Sequence, residues 1–146
     1  MEIQRSPVVI AGQPAVYAKG TAVVGNRGFV WLSGSVGVDV GTGKIPEGAG
    51  EQAKLAMENI KARLEEYGSS LKNIVHIWQY VKGQFPNGIL NDPRYPAIRN
   101  AIDEFWKANC PEFLVGNNPP ASTLLGVTSL ARPEYHLEIM VVAAIA

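Results

Sequence analysis

EQAKLAMENIKARLEEYGSSLKNIVHIWQYV, residues 51–81, carries a helical repeat and a strand pattern within thirty-one positions. Ala53, Ala56, Met57, Ile60, Leu64 and Tyr67 recur at helical spacing, and Glu51, Lys54, Glu58, Lys61 and Glu65 fill the opposite face. Gly68 follows as the residue that can turn left-handed and close the helix. In residues 74–81 the period changes. Ile74, Val75, Ile77, Trp78, Tyr80 and Val81 form an almost continuous apolar run, which predicts a strand buried on both sides.

Downstream, Asp92-Pro93 reads as an N-cap followed by proline at the first helical position. The stripe of that second helix is Tyr95, Ile98, Ile102, Phe105 and Trp106; Pro96 is tolerated in the first turn, and the helix must stop before Pro111. Upstream, residues 7–10 suggest a strand. Residues 21–24 and 29–33 read as a hairpin around Gly25-Asn26-Arg27-Gly28, and the glycine-rich residues 36–43 as a strand end entering a turn. Residues 121–130 and 135–145 read as a closing hairpin, joined by Ala131-Arg132-Pro133-Glu134.

Strands with two amphipathic helices imply an α+β fold, one sheet with both helices on one face. No repeat or linker interrupts the chain, so residues 1–146 are expected to form a single domain. The second face of the sheet has nothing left in the chain to cover it. Self-association is the expected answer, and the irregular residues 85–91 and 113–120 are candidate rims of a cleft.

Composition narrows the function. Thirteen basic and thirteen acidic residues balance, which argues against a nucleic-acid or anionic-membrane partner, and 47% of residues are hydrophobic. The single cysteine, Cys110, offers neither a disulfide nor a metal-ligand spacing. Residues 1–6 lack the apolar run of a signal peptide, and no stretch has the length of a membrane helix, so a cytoplasmic protein is expected. No metal motif, phosphate loop or nucleophile elbow is present, and Gly25–Gly28 does not match a dinucleotide fingerprint.

One residue breaks its surroundings. Glu138 lies in His136-Leu137-Glu138-Ile139-Met140-Val141-Val142, otherwise almost wholly apolar, and shares a strand face with Met140, Val142 and Ala144. A carboxylate buried there without a cation is a candidate general acid or base; it is equally a hydrogen-bond acceptor at a subunit seam. His76 and His136 stand alone in strand patterns and read as structural histidines.

Several segments, taken in order, carry a resemblance. Phe29-Val30-Trp31-Leu32-Ser33-Gly34, the helix over residues 52–67, Asp103-Glu104-Phe105-Trp106, Pro120-Ala121 and Leu137-Glu138-Ile139 together resemble the reactive-intermediate deaminase (Rid, or YjgF) family over about residues 13–146. The resemblance implies a chorismate-mutase-like α+β domain, a mostly antiparallel sheet backed by two helices. It implies a homotrimer with small-molecule clefts between subunits. It also implies hydrolysis of reactive enamines and imines to a keto acid and ammonia, with no metal or organic cofactor.

By the same resemblance, Glu138 corresponds to the glutamate that holds the attacking water, and Tyr17 to a tyrosine that reaches into the cleft. Ser33 and Gly34 correspond to the strand end that lines it. The sequence departs from the family at Ser122, which follows Pro120-Ala121 where family deaminases carry an arginine that clasps the substrate carboxylate. Either another cation substitutes, with Arg99 on the second helix as the candidate, or the substrate differs, or turnover is lost. Trp31 and Trp78 are candidate cleft walls, though core packing is the simpler role for each. A plain four-residue loop at 131–134 would put Ser122 and Glu138 on opposite faces, whereas a bulge at Gly126 would reunite them. The readings that follow are a cofactor-free hydrolase with Glu138 positioning water, a non-catalytic ligand-binding or regulatory trimer, and an interaction scaffold.

Overall fold

The computed structural model describes residues 1–146. In it the helical repeat becomes α1, Ala49–Glu66. The expected glycine closes it: Gly68 has φ 69°, its N–H donates to Glu65 O at 3.0 Å, and the Ser69 N–H donates to Leu64 O at 2.9 Å. Those two bonds satisfy carbonyls that the last turn would otherwise leave open.

A short 3-10 turn leads into β5, Ile74–Lys82, counted after four strands upstream: β1 Glu2–Ile10, β2 Gln13–Val24, β3 Gly28–Trp31 and β4 Ser35–Val36. Helix α2 is Tyr95–Asn109, and the chain ends with β6 Ala121–Val127 and β7 Leu137–Ile145. The expected start of α2 moves by two residues. Asp92 Oδ1 accepts the Arg94 N–H and the Arg94 Nε–H, each at 2.9 Å, so Asp92 and Pro93 close a turn ahead of the helix and Pro96 takes its second position.

The sheet runs β1-β2-β6-β5-β7-β3, with β4 also on β7. It is mixed: β5 and β2 are parallel to β6, and the other pairings are antiparallel. Two expected hairpins are not formed. The chain over residues 21–24 pairs with the N-terminal strand instead, Glu2↔Val24 through Ile10↔Gln13, around Ala11 and Gly12 with φ of 49° and 78°. Positive φ at both turn residues matches the twist of a two-residue hairpin, and it outcompetes the longer glycine turn at 25–28. Meanwhile β3 pairs with β7, at the far edge of the sheet.

The closing pair is also separated, because β5 inserts between β6 and β7. Its apolar run offers hydrogen bonds on both edges. Residues 128–136 must therefore cross two strand spacings, about 9.6 Å, which a four-residue hairpin loop with paired ends cannot do.

Both helices pack on one face. Met57, Ile60, Leu64, Ile98, Ile102, Phe105 and Trp106 form a continuous core with Ile74, Ile77, Val81, Leu137, Ile139 and Val141. Gln52, fully buried, is the polar tie in this layer. Its amide donates to Pro46 O (2.7 Å) and Glu134 O (2.9 Å) and accepts the His136 N–H (2.8 Å), so one side chain fixes the start of α1 against the entry to β7.

The other face is bare. On β5 only Ile74, Ile77 and Val81 are buried, and Trp78 and Tyr80 keep a partly exposed surface, so the strand is not enclosed on both sides within one chain. On β3, across β7 from β5, Trp31 is 72% and Phe29 47% exposed. No helix is long and apolar enough to cross a membrane.

Candidate functional site

Glu138 lies on β7 opposite Tyr80 of β5 and Val36 of β4. Strand alternation puts its side chain on the bare face, while Leu137 and Ile139 enter the core. The edge strand beside it is broken. Trp31 pairs with Val142 and Ser35 with Ile139, so four residues on the edge span three on β7, a bulge at residues 32–34. The extra residue re-aims the chain, and it does so at a glycine for a steric reason. A Cβ on Gly34 would lie 2.5 Å from Cδ and Oε1 of Glu138. The carboxylate thus rests directly on the backbone, next to the exposed Ser33. It receives no hydrogen bond and no ion pair from its own chain, whose three salt bridges all lie elsewhere.

This contact gives a direct test. In Gly34→Ala the methyl group displaces the end of a flexible side chain, so the melting temperature should move by no more than about 3 °C. A carboxylate moved by about 1 Å should nonetheless lower any Glu138-dependent turnover by about 10²-fold. Unchanged turnover would show that the contact does not set the position of Glu138.

Ser122 and Arg99 lie together, but on the opposite face. Ser122 pairs with Ile77 and points under the helices, where it and Arg99 line a narrow cavity with Gln79, Ile139 and Trp106. The cavity holds about 20 Å³, room for a single water. Arg99 is already occupied: its Nε–H is 3.1 Å from each carboxylate oxygen of Asp103, which also accepts from the terminal nitrogen. Burial opposes the Arg99 charge, yet the hydrogen bonds and charge of Asp103 outweigh it and hold the guanidinium above its ordinary value. Neither residue shares a face with Glu138. The bulge considered at Gly126 is absent, since β6 and β5 pair without interruption from Ala121↔His76 to Val127↔Lys82.

Tyr17, 38% exposed, is on β2 near the single bridge Ala18↔Ala121. Three strand spacings, about 14 Å, separate β2 from β7 across the sheet. One chain therefore assembles Glu138, Ser33 and Gly34 and leaves Tyr17 apart.

The two histidines are tied into the fold. His76 Nε2 is 2.9 Å from Thr123 Oγ1, its ring lies 4.0 Å from that of Trp78, and burial pushes its pKa down toward a neutral ring. His136 Nδ1 accepts from Arg94 at 3.1 Å, which leaves Nε2–H to donate to Glu47 O at 2.9 Å. No group of three His, Cys, Asp or Glu side chains converges as a metal site. Cys110 is buried, and burial and then Glu112 push its thiol up to about 12, out of reach of nucleophilic chemistry. The resemblance placed Gly34 and Glu138 at one cleft, but the steric contact between them is signalled by no local pattern, and sequence reasoning missed Gln52, which was read only as part of a helix.

Comparison with known proteins bears on the family and the fold. Residues 11–145 match a family described as endoribonuclease L-PSP. A RutC family protein of Pyrococcus abyssi is 45% identical over 110 residues, covering 75% of this chain and 72% of that protein. A protein of Dermatophagoides farinae named 2-iminobutanoate/2-iminopropanoate deaminase is 29% identical over 103 residues, covering 70% and 73% respectively. The crystal structure of YyfB from Yersinia pestis, described as a protein of unknown function of the conserved Rid family, superposes with a TM-score of 0.74. It covers 99% of this chain and all of that one at 22% identity, a likeness of fold. The order of strands and helices, the glutamate on the bare face and these matches lead to one conclusion: the chain belongs to the Rid (YjgF) family.

Proposed function

We propose that this chain is a cofactor-free hydrolase of small imines or enamines, working as a homotrimer at clefts where the bare sheet face of one copy meets the next. The observation that carries the reading is Glu138. An unpartnered carboxylate rests on a glycine in an apolar sheet face, where it can hold a water and little else. Support comes from the Dermatophagoides farinae relative, whose name states an imine deaminase. The exposed Trp31 and Phe29 supply the apolar surface that association would bury.

In the reaction, water held by Glu138 adds to the imine carbon. Glu138 takes one water proton and passes it to the nitrogen, then carries the hydroxyl proton of the resulting carbinolamine to the same nitrogen; the C=O bond forms as the C–N bond breaks, and ammonia leaves with the electron pair of that bond. One imine and one water give one carbonyl compound and one ammonia. Tyr17 joins such a cleft only from a second copy, given its distance from Glu138 in one chain. The family description names an endoribonuclease, but 13 basic against 13 acidic residues give no electrostatic footprint for RNA.

A second reading, a ligand-binding trimer without turnover, is favoured by Ser122 standing where the resemblance expects arginine. One experiment separates the two. Freshly generated 2-aminoacrylate or 2-iminobutanoate is supplied, ammonia release is followed, and the mass in solution is measured by light scattering. The hydrolase reading expects ammonia above the uncatalysed rate and three times the mass of the chain. A trimer with no release of ammonia would leave the binding reading, and a monomer would overturn both.

A further inference from the structure

With no hydrogen bond or ion pair of its own, Glu138 depends for its position on the Gly34 backbone beneath it. Where that glycine lies is set by how the edge segment is anchored on either side. Upstream, the Leu32 N–H donates to Val141 O at 3.2 Å, and the Leu32 side chain is buried in the core. Downstream, only Ser35 and Val36 pair with β7, opposite Ile139 and Glu138. A strand of two residues at a sheet edge is short even for β structure, and its ladder alone holds it weakly.

The stronger hold comes from α1. Ser35, fully buried, donates from Oγ to Ala56 O at 3.0 Å. One turn on, the Asn59 amide donates to Val36 O at 3.3 Å and to Val38 O at 3.0 Å. One turn back, Gly37 lies against the backbone of Gln52. Gln52, Ala56 and Asn59 follow at i, i+4 and i+7, so one side of the helix carries all three contacts. Asparagine is a poor helix former, yet Asn59 stands in the interior of α1, where its side chain serves a segment outside the helix. Ala56 O has a partner in the helix ladder already, so what the Ser35 bond adds is a hold on the edge segment.

We propose that Asn59 and Ser35 are positioning residues for Glu138: they lock the edge segment to α1, and the locked Gly34 backbone is the seat on which the carboxylate rests. Both act through Gly34, from the far side of the segment, and neither touches substrate. The catalytic part of this assignment rests on the hydrolase reading; the lock itself does not. A bulge takes its residues out of the ladder, so Ser33 and Gly34 have no strand bonds to keep them in place. Rate is far more sensitive than stability to such a shift, since a misplacement of about 1 Å costs about 10²-fold.

The test uses the assembled protein and two readouts. Hydrogen–deuterium exchange reports the opening of residues 32–38, and ammonia release from freshly generated 2-iminobutanoate reports the chemistry. Asn59→Ala and Ser35→Ala should each speed exchange in residues 32–38 about tenfold and leave exchange in β5 unchanged. With β5 intact, a lower rate is not lost protein: kcat should fall about tenfold or more while KM stays within about twofold. Ser35→Ala leaves Ala56 O its helical partner and strands no group, so it remains informative if Asn59→Ala does not fold. Faster exchange in residues 32–38, in a protein whose wild type releases no ammonia, would uphold the lock and sink the hydrolase reading. Unchanged exchange in both variants would overturn the lock. Faster exchange with unchanged kcat in an active enzyme would overturn the positioning role.

Discussion

Glu138→Ala will remove any hydrolytic turnover that the proposed function supplies and leave the fold in place. Proton transfer by a positioned carboxylate contributes about 10²–10⁴ to a rate, and the variant should lose all of it. The stability effect should stay within about 0.5 kcal/mol, because the carboxylate has no hydrogen-bond or ion-pair partner in its chain to leave stranded. Most truncations of half-buried polar residues lower rate and stability together, so the split is diagnostic. Ammonia release and the thermal midpoint, measured on the same preparation, decide it. Turnover equal to wild type would make Glu138 a seam carboxylate that only fills the contact between copies. Loss of turnover with a large drop in midpoint would mean that Glu138 holds the assembly together.

The second large effect is on stability. Gly37→Ala should destabilise the protein by about 3–5 kcal/mol, a large share of the 5–15 kcal/mol that holds a typical domain together. The reason is a backbone contact. A Cβ on Gly37 would lie 2.3 Å from the Cα of Gln52 and 2.6 Å from its carbonyl oxygen, so α1 itself must move away from the segment after β4. Moving α1 also pulls the Gln52 amide from Pro46 O, Glu134 O and the His136 N–H, and buried groups left unpaired cost about 1–3 kcal/mol. Gly34→Ala is the internal control, since its added methyl meets only a flexible side-chain end. The two alanines should differ in thermal midpoint by about 10 °C or more. Equal midpoints would mean that α1 shifts freely, and the tight packing at Gln52 would have no energetic weight.

The helices and the core strand were legible because their signals are local. Six apolar positions at helical spacing, a glycine to close and an almost continuous apolar run require no knowledge of distant residues, and α1 and β5 follow from them. Glu138 was legible for a similar reason, as a charge inside an apolar strand. The N-terminal strand was underestimated because Glu2, Gln4 and Arg5 make its first half polar. It is recruited by pairing with β2 and by Arg5, whose guanidinium donates to Lys72 O and Ile74 O at 2.9 Å each. Partners some seventy residues away leave no trace in a local pattern.

By itself the sequence determined the composition of the layers: two amphipathic helices, a set of strands and a sheet face with no cover. Periodicity encodes which side of an element is apolar, and that property is carried by each element alone. Which strands are neighbours was decided only in three dimensions. Several pairings satisfy the same alternation, and the competition is settled by where β5 finds partners for both of its edges. That choice places Ser122 and Arg99 beneath the helices, and Glu138 and Gly34 on the bare face. Residues that make chemistry together must share a face, and shared faces follow from strand order and register, which are properties of the whole sheet.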